Sequence, residues 1–198
     1  LRGGFAENFV VNHESMLPEN VCVGDVYEVN DIVMQVSGPR CSCKQVDKHH
    51  HSIGMFEYAK ETGFGGYFMR ILQGGTCAAG DTMKLKKRPH PKQSITHISA
   101  MLYGALNKEF NIFYRNLRNT KMNEMNATEL AILHGALARR KDALYELQSI
   151  QELMPDFYRN TAMEKYQACV EMEKHHFSPF MASVISTNTP NLDSNNDT

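Results

Sequence analysis

The stretch Gln35 to Ser52 concentrates side chains that could do chemistry. It reads "QVSGPRCSCKQVDKHHHS": two thiols one residue apart, Cys41 and Cys43, follow Pro39 and Arg40, and His49, His50 and His51 come soon after. A cysteine acts as nucleophile or metal ligand in its thiolate form, which a nearby cation such as Arg40 or Lys44 favours. Cys41 and Cys43 with His49 and His51 would supply four zinc ligands, at a cysteine spacing tighter than structural zinc sites use. A thiolate alone is a soft, electron-donating ligand for a redox metal, and arginine offers a planar fork for a phosphate. The plain structural alternative packs one cysteine as a small hydrophobe and leaves the histidine run as a solvated loop. These residue types alone do not choose among the three.

The flanking sequence supplies the elements that must position them. Val21 to Ser37, "VCVGDVYEVNDIVMQVS", has β-branched, alternating runs broken at Gly24-Asp25 and Asn30-Asp31. That pattern predicts a strand, a tight hairpin turn and a second strand, with the cysteine loop at its end. "MFEYAKETG", Met55 to Gly63, predicts a short helix closed by glycine. "YFMRILQGG", from Tyr67, predicts another strand, and "GDTMKLKKRP" an edge strand exposed on one face. Two prolines in "RPHPKQS", Arg88 to Ser94, discourage regular structure, and Ser94 can cap a helix that starts at Ile95.

Beyond that point the apolar period becomes helical. Ile95, Ile98, Leu102, Ala105, Leu106, Phe113 and Leu117 mark one helix. A second starts at a capping box of Asn126 and Glu129 and carries Leu130, Leu133, Leu137, Leu144 and Leu147 until Pro155. A third runs from Asp156 to His176 with Met163, Tyr166 and Val170 on one face. "ARRKD", Ala138 to Asp142, reads as a solvated charged face, and the tail "STNTPNLDSNNDT" lacks the apolar surface needed to offset the entropy of ordering. The class is α+β. Residues 1–92 form a β-rich part, 93–176 a helical module of about three helices, and 177–198 a disordered polar tail.

The bulk numbers limit what such a chain can be. With 198 residues and 42% hydrophobic composition it can build one good core or two small ones. A net charge of -1 lacks the basic footprint of a nucleic-acid binder. Five scattered cysteines, an odd number, fit reduced thiols in an intracellular, cytoplasmic setting better than a disulfide framework. No apolar run reaches membrane-spanning length and no secretory signal is visible. No flavin or nicotinamide fingerprint and no iron-sulfur cysteine spacing occurs, so no haem, flavin or iron-sulfur cluster is expected in this chain.

The phrases "GGFAENFVV", "VCVGDVYEV", "MQVSGPRCSCKQVD", "GFGGYFMRILQGG", "AAGDTMKL" and "RPHPKQSI", in that order, resemble the MOSC domain, named after the C-terminal part of molybdenum cofactor sulfurase. The likeness covers Gly3 to Ile95 and is greatest to the bacterial YiiM-like branch, linked to resistance against 6-N-hydroxylaminopurine. It implies a β-rich barrel, of which this chain would carry the C-terminal portion. Family members have an earlier His-Gly-Gly segment that completes the barrel and part of the pocket. Nothing here matches it, and with no initiator methionine before "LRGGFAENF" two alternatives stand: a fragment of an ordinary family member, or a shortened chain with an open pocket.

The family pattern Pro-Arg-x-x-Cys-x-Lys falls on Pro39, Arg40 and Cys43, with Lys44 one place earlier than the usual lysine. By this resemblance Cys43 is the catalytic and metal residue, coordinating the molybdenum of a molybdopterin cofactor or carrying its sulfur. Arg40 and Arg70 are the anion contacts, and Glu7 and Asn8 line or brace the site. Ala6 stands where the family usually has glycine. The implied activity is that of an oxidoreductase reducing N-hydroxylated substrates such as nucleobases, with electrons from a separate donor protein and no nucleic-acid polymer or membrane as partner. The alternative is a sulfur or cofactor carrier acting through Cys43. Pyridoxal phosphate accompanies the sulfurase relatives, but no lysine here stands in a context that supports a Schiff base.

Overall fold

A computed structural model describes residues 4–41, 43–104, 107–108, 111–112, 115 and 125–177. Four antiparallel strands form a sheet in the order β3-β2-β1-β4: β1 is Val26–Val29, β2 Ile32–Pro39, β3 Tyr67–Gln73 and β4 Lys84–Lys87. The β1–β2 hairpin turns on Asn30 and Asp31 with Val29 opposite Ile32. Asn30 takes a left-handed φ of 48°, the conformation a two-residue hairpin loop requires. Strands β3 and β4 are the edges, and β4 carries the exposed lysines expected of one. The described strands make an open sheet and do not close the barrel that the family resemblance implies.

Two short helices fill the connection between β2 and β3: α1, Gln45–His49, and α2, Met55–Thr62, which ends on Gly63 at φ 83°. The histidine run is therefore the end of a helix and its turn, where the sequence predicts a loop. Helix α3, Ile95–Tyr103, starts on Ser94, whose side chain accepts the His97 N–H. The rest of the first predicted helical stripe, Ala105, Leu106, Phe113 and Leu117, lies outside the described residues, as does most of the polar tail.

Helix α4, Ala127–Gln148, opens with the predicted Asn126–Glu129 capping box. It stops before Pro155; a short 3-10 turn, Gln151–Leu153, intervenes before α5, Asp156–Met172, which a π turn extends over Glu173–Phe177. All five predicted leucines of α4 are buried. On α5 the buried face is Tyr158, Ala162, Cys169 and Met172, while Met163 is exposed, which corrects the predicted stripe by a rotation of the helix. Within "ARRKD" the solvated-face reading fails at Arg140, which is 1% exposed.

The main buried cluster joins Val21, Val23, Tyr27 and Val36 from the sheet region to α3, α4 and α5. Arg140 and Lys165 reach into it to meet the C-terminal turn of α3. Arg140 donates to the Met101 carbonyl and, at 2.8 Å, to Asn107 Oδ1. Lys165 Nζ donates to the Leu102 carbonyl at 3.3 Å and to the same Asn107 oxygen at 2.9 Å. Cations there satisfy carbonyls that a helix end leaves unpaired and oppose the negative end of its dipole. Val29, Ile32 and Met34, with Met69 and Met83 packed against them, form a second, smaller apolar cluster.

Candidate functional site

Strand β2 delivers Pro39 and Arg40 to one end of the sheet. Proline has no N–H to give, but the Arg40 N–H donates to Gly66 O at 2.8 Å and carries pairing one residue past the strand. The Arg40 side chain turns to the N-terminal segment and donates through Nη1 to the Phe5 carbonyl. Glu7 Oε2 accepts the Phe5 N–H at 2.9 Å, folding that segment into a tight turn. Ala6 sits inside the turn at φ 52°, a left-handed conformation that glycine adopts without cost and alanine does not. The family's usual glycine at this position thus has a physical reason here.

This turn brings three predicted site residues together. Glu7, Asn8 and Arg40 line an open cleft of about 530 Å³ whose apolar wall includes Tyr67 and Met69 and whose floor includes Met34. The Tyr67 hydroxyl donates to Met16 O at 3.2 Å, and burial pushes its phenol well above the ordinary range, so it stays neutral.

The two cysteines differ in environment. Cys41 is half-buried against the main cluster, and its backbone N–H donates to the Tyr158 hydroxyl of α5 at 2.6 Å. Burial raises the Tyr158 phenol, with the Cys41 thiol adding to the rise while the Cys41 N–H and Arg40 act against it. Tyr103 of α3 is raised in the same way, first by burial and then by Cys41 and Tyr158. Cys43 is exposed, and its carbonyl accepts the Val46 N–H at 3.0 Å as α1 begins. It is not one of the residues that line the cleft.

The histidines do not join the thiols. His50 Nε2 lies 2.8 Å from Gly4 O and its ring 5.7 Å from that of Phe5, so it holds the N-terminal turn, while His49 and His51 are exposed. Among the described residues no three His, Cys, Asp or Glu side chains gather to hold a metal ion, and the four-ligand zinc arrangement is not formed. A pterin-held metal would arrive with ligands of its own, so one exposed cysteine, Cys43, three residues after the cleft-lining Arg40 fits that donor set.

Arg70 is placed elsewhere. Its Nη2 donates to the carbonyls of Glu152 and Leu153, in the turn before α5, while Met69 and Ile71 on either side of it line the cleft. Tyr158 is the residue that sequence reasoning missed. It stands 117 positions from Cys41, in a helix that reads as ordinary core, so no local signal could reveal it.

A sequence profile of the MOSC domain matches residues 2–84. A protein named "Reductase" from Gibberella moniliformis is 34% identical over 101 residues, covering 50% of this chain and 18% of that protein. "Uncharacterized protein YflK" from Bacillus subtilis is 31% identical over 99 residues, covering 50% of this chain and 44% of that protein. The chain thus spans less than half the length of these curated relatives. Among solved structures, YiiM from Geobacillus stearothermophilus shares the fold with a TM-score of 0.52 at 21% identity, over 75% of this chain and 60% of that one. No helix among the described residues is long and apolar enough to cross a membrane. Residues 2–84, which contain the Pro39-Arg40 to Cys43 motif, match the MOSC domain.

Proposed function

We propose that the chain holds a molybdenum cofactor through Cys43 and Arg40, as part of a cytoplasmic oxidoreductase that reduces N-hydroxylated substrates such as nucleobases. The observation that carries this reading is the end of β2, where Arg40 forms cleft wall and Cys43 follows three residues later with its thiol accessible. When bound, the cofactor supplies a two-electron redox centre. Arg40 holds the cofactor's phosphate by a charge-assisted bond, and Glu7 and Asn8 orient what enters the cleft. Tyr67 and Met69 limit water on its apolar side. The protein named "Reductase" supports the reaction class.

Reduction of an N-hydroxyl group takes two electrons and two protons, breaks the N–O bond, and leaves an N–H and water. The electrons come from a separate donor protein. In the whole protein the open sheet becomes part of a MOSC-type barrel. Arg70, although its Nη2 faces the helices, remains a weaker anion-contact proposal. Neither a nucleic-acid polymer nor a membrane is a partner.

One observation favours a second reading. Cys43 is exposed and does not line the cleft, which suits a carrier that hands sulfur or cofactor to another protein. The test supplies full-length protein with reduced viologen as electron source and follows loss of an N-hydroxylated nucleobase. Consumption that disappears in Cys43→Ser supports the oxidoreductase. Molybdenum retention without consumption supports the carrier, and consumption unchanged in Cys43→Ser overturns both.

A further inference from the structure

The Cys41 amide is held from outside the matched family region. The MOSC match ends at residue 84, yet the hydroxyl that accepts the Cys41 N–H belongs to Tyr158, in the first turns of α5. Tyr158 is 2% exposed, so the bond is shielded from competing water. The same turn of α5 lies close over β2: a Cβ at Gly38 would come within 3.5 Å of Pro155 and 4.0 Å of Tyr158. A second tie runs in parallel, from Arg70 of β3 to the Glu152 and Leu153 carbonyls just before α5.

We propose that Tyr158 is a positioning residue for the cysteine loop: through the Cys41 amide, the helical module sets where the loop leaves β2 and so where Cys43 stands relative to Arg40. The loop is then fixed at three points around Cys43. Arg40 N–H meets Gly66 O at 2.8 Å, Cys41 N–H meets Tyr158, and the Cys43 carbonyl takes the Val46 N–H at 3.0 Å. Removing the middle point frees the loop to swing on the other two. The functional weight of this placement rests on the proposed role of Cys43; the placement itself does not.

Tyr158→Phe removes the acceptor and keeps the ring. Alkylation by iodoacetamide across a pH series, resolved by peptide mass spectrometry, gives separate rates for Cys41, Cys43 and exposed Cys77 in one sample. The expected result is a Cys41 rate at least threefold higher, a changed pH profile at Cys43, and no change at Cys77. Tyr27→Phe is the control: it alters another buried phenol, 3.4 Å from Asp25, and is expected to lower stability without moving the Cys41 to Cys77 ratio. An unchanged ratio in Tyr158→Phe, or an equal rise in Tyr27→Phe, overturns the proposal. Amide exchange at Cys41 in the wild type decides the matter without a variant, since protection is expected and exchange at an open-loop rate contradicts it. Molybdenum content of the same samples reports separately on the cofactor reading.

Discussion

The Arg88 guanidinium closes on the fully buried Asp25 carboxylate, donating through Nε to both oxygens and through Nη2 to Oδ2 at 2.7 Å. Asp25 Oδ2 also accepts the Cys22 N–H at 2.9 Å, and Arg88 Nη2 reaches Asn20 O at 2.7 Å. This pair ties the start of the hairpin to the residue after β4, so it fixes an edge strand that local propensity holds weakly. Arg88→Ala leaves a buried carboxylate without its counter-ion and is expected to cost about 3 kcal/mol. Arg88→Lys keeps the charge but loses the fork and should cost less. Chemical denaturation of the two variants checks the order; equal, negligible losses would show that the pair does not hold the sheet.

Lys165 gives a pH signature. Burial, then repulsion from Arg140 and Lys60, lowers its pKa to about 8. Below pH 8 the folded state carries a charge it disfavours; between about 8 and the unfolded value near 10.5 the folded state has released a proton that the unfolded state keeps. Stability contributed at this site therefore rises with pH across that window. Because Lys165 itself lowers the nearby Cys169 thiol, the comparison of Lys165 with Lys165→Met is made with Cys169→Ala present in both proteins, so that the remaining thiols and phenols largely cancel. The difference in unfolding free energy should shift in favour of the Lys165 protein from pH 8 to 10, and a flat difference would contradict the assignment.

The cleft turn carries a conformational cost at Ala6. A left-handed alanine costs roughly 1–2 kcal/mol, part of which glycine returns through the greater freedom of its unfolded chain. Ala6→Gly is expected to stabilise the protein by about 0.5 kcal/mol and raise its melting temperature by roughly 1–2 °C. A lower melting temperature would mean that Ala6 does not hold this conformation in solution.

How far the sequence could be read depended on the range of the physics involved. Ser94, Asn126 with Glu129, and the Asn30-Asp31 turn act within four residues, and each was legible because capping and turn chemistry is local. The Pro39, Arg40 and Cys43 spacing was singled out only through the family resemblance. Arg140 was not legible: a charge run normally faces water, and its buried guanidinium is met by the Met101 carbonyl and Asn107 Oδ1 at the end of α3. Tyr158 was missed, and the tie from Arg70 to the turn before α5 was not foreseen, because the partners lie 117 and 83 residues away. The α5 stripe rotated because Tyr158 and Cys169, both readable as either face, turn inward onto the sheet end and the Arg140 region.

The proposed function requires Cys43, and not Cys41, to be the thiol that would hold the metal. The most direct test is the molybdenum content of full-length wild type, Cys43→Ser and Cys41→Ser proteins purified from a host that makes the cofactor. The expected result is molybdenum in wild type, most of it retained in Cys41→Ser, and at least a tenfold loss in Cys43→Ser. Equal molybdenum in wild type and Cys43→Ser would rule out Cys43 as the metal's thiol ligand.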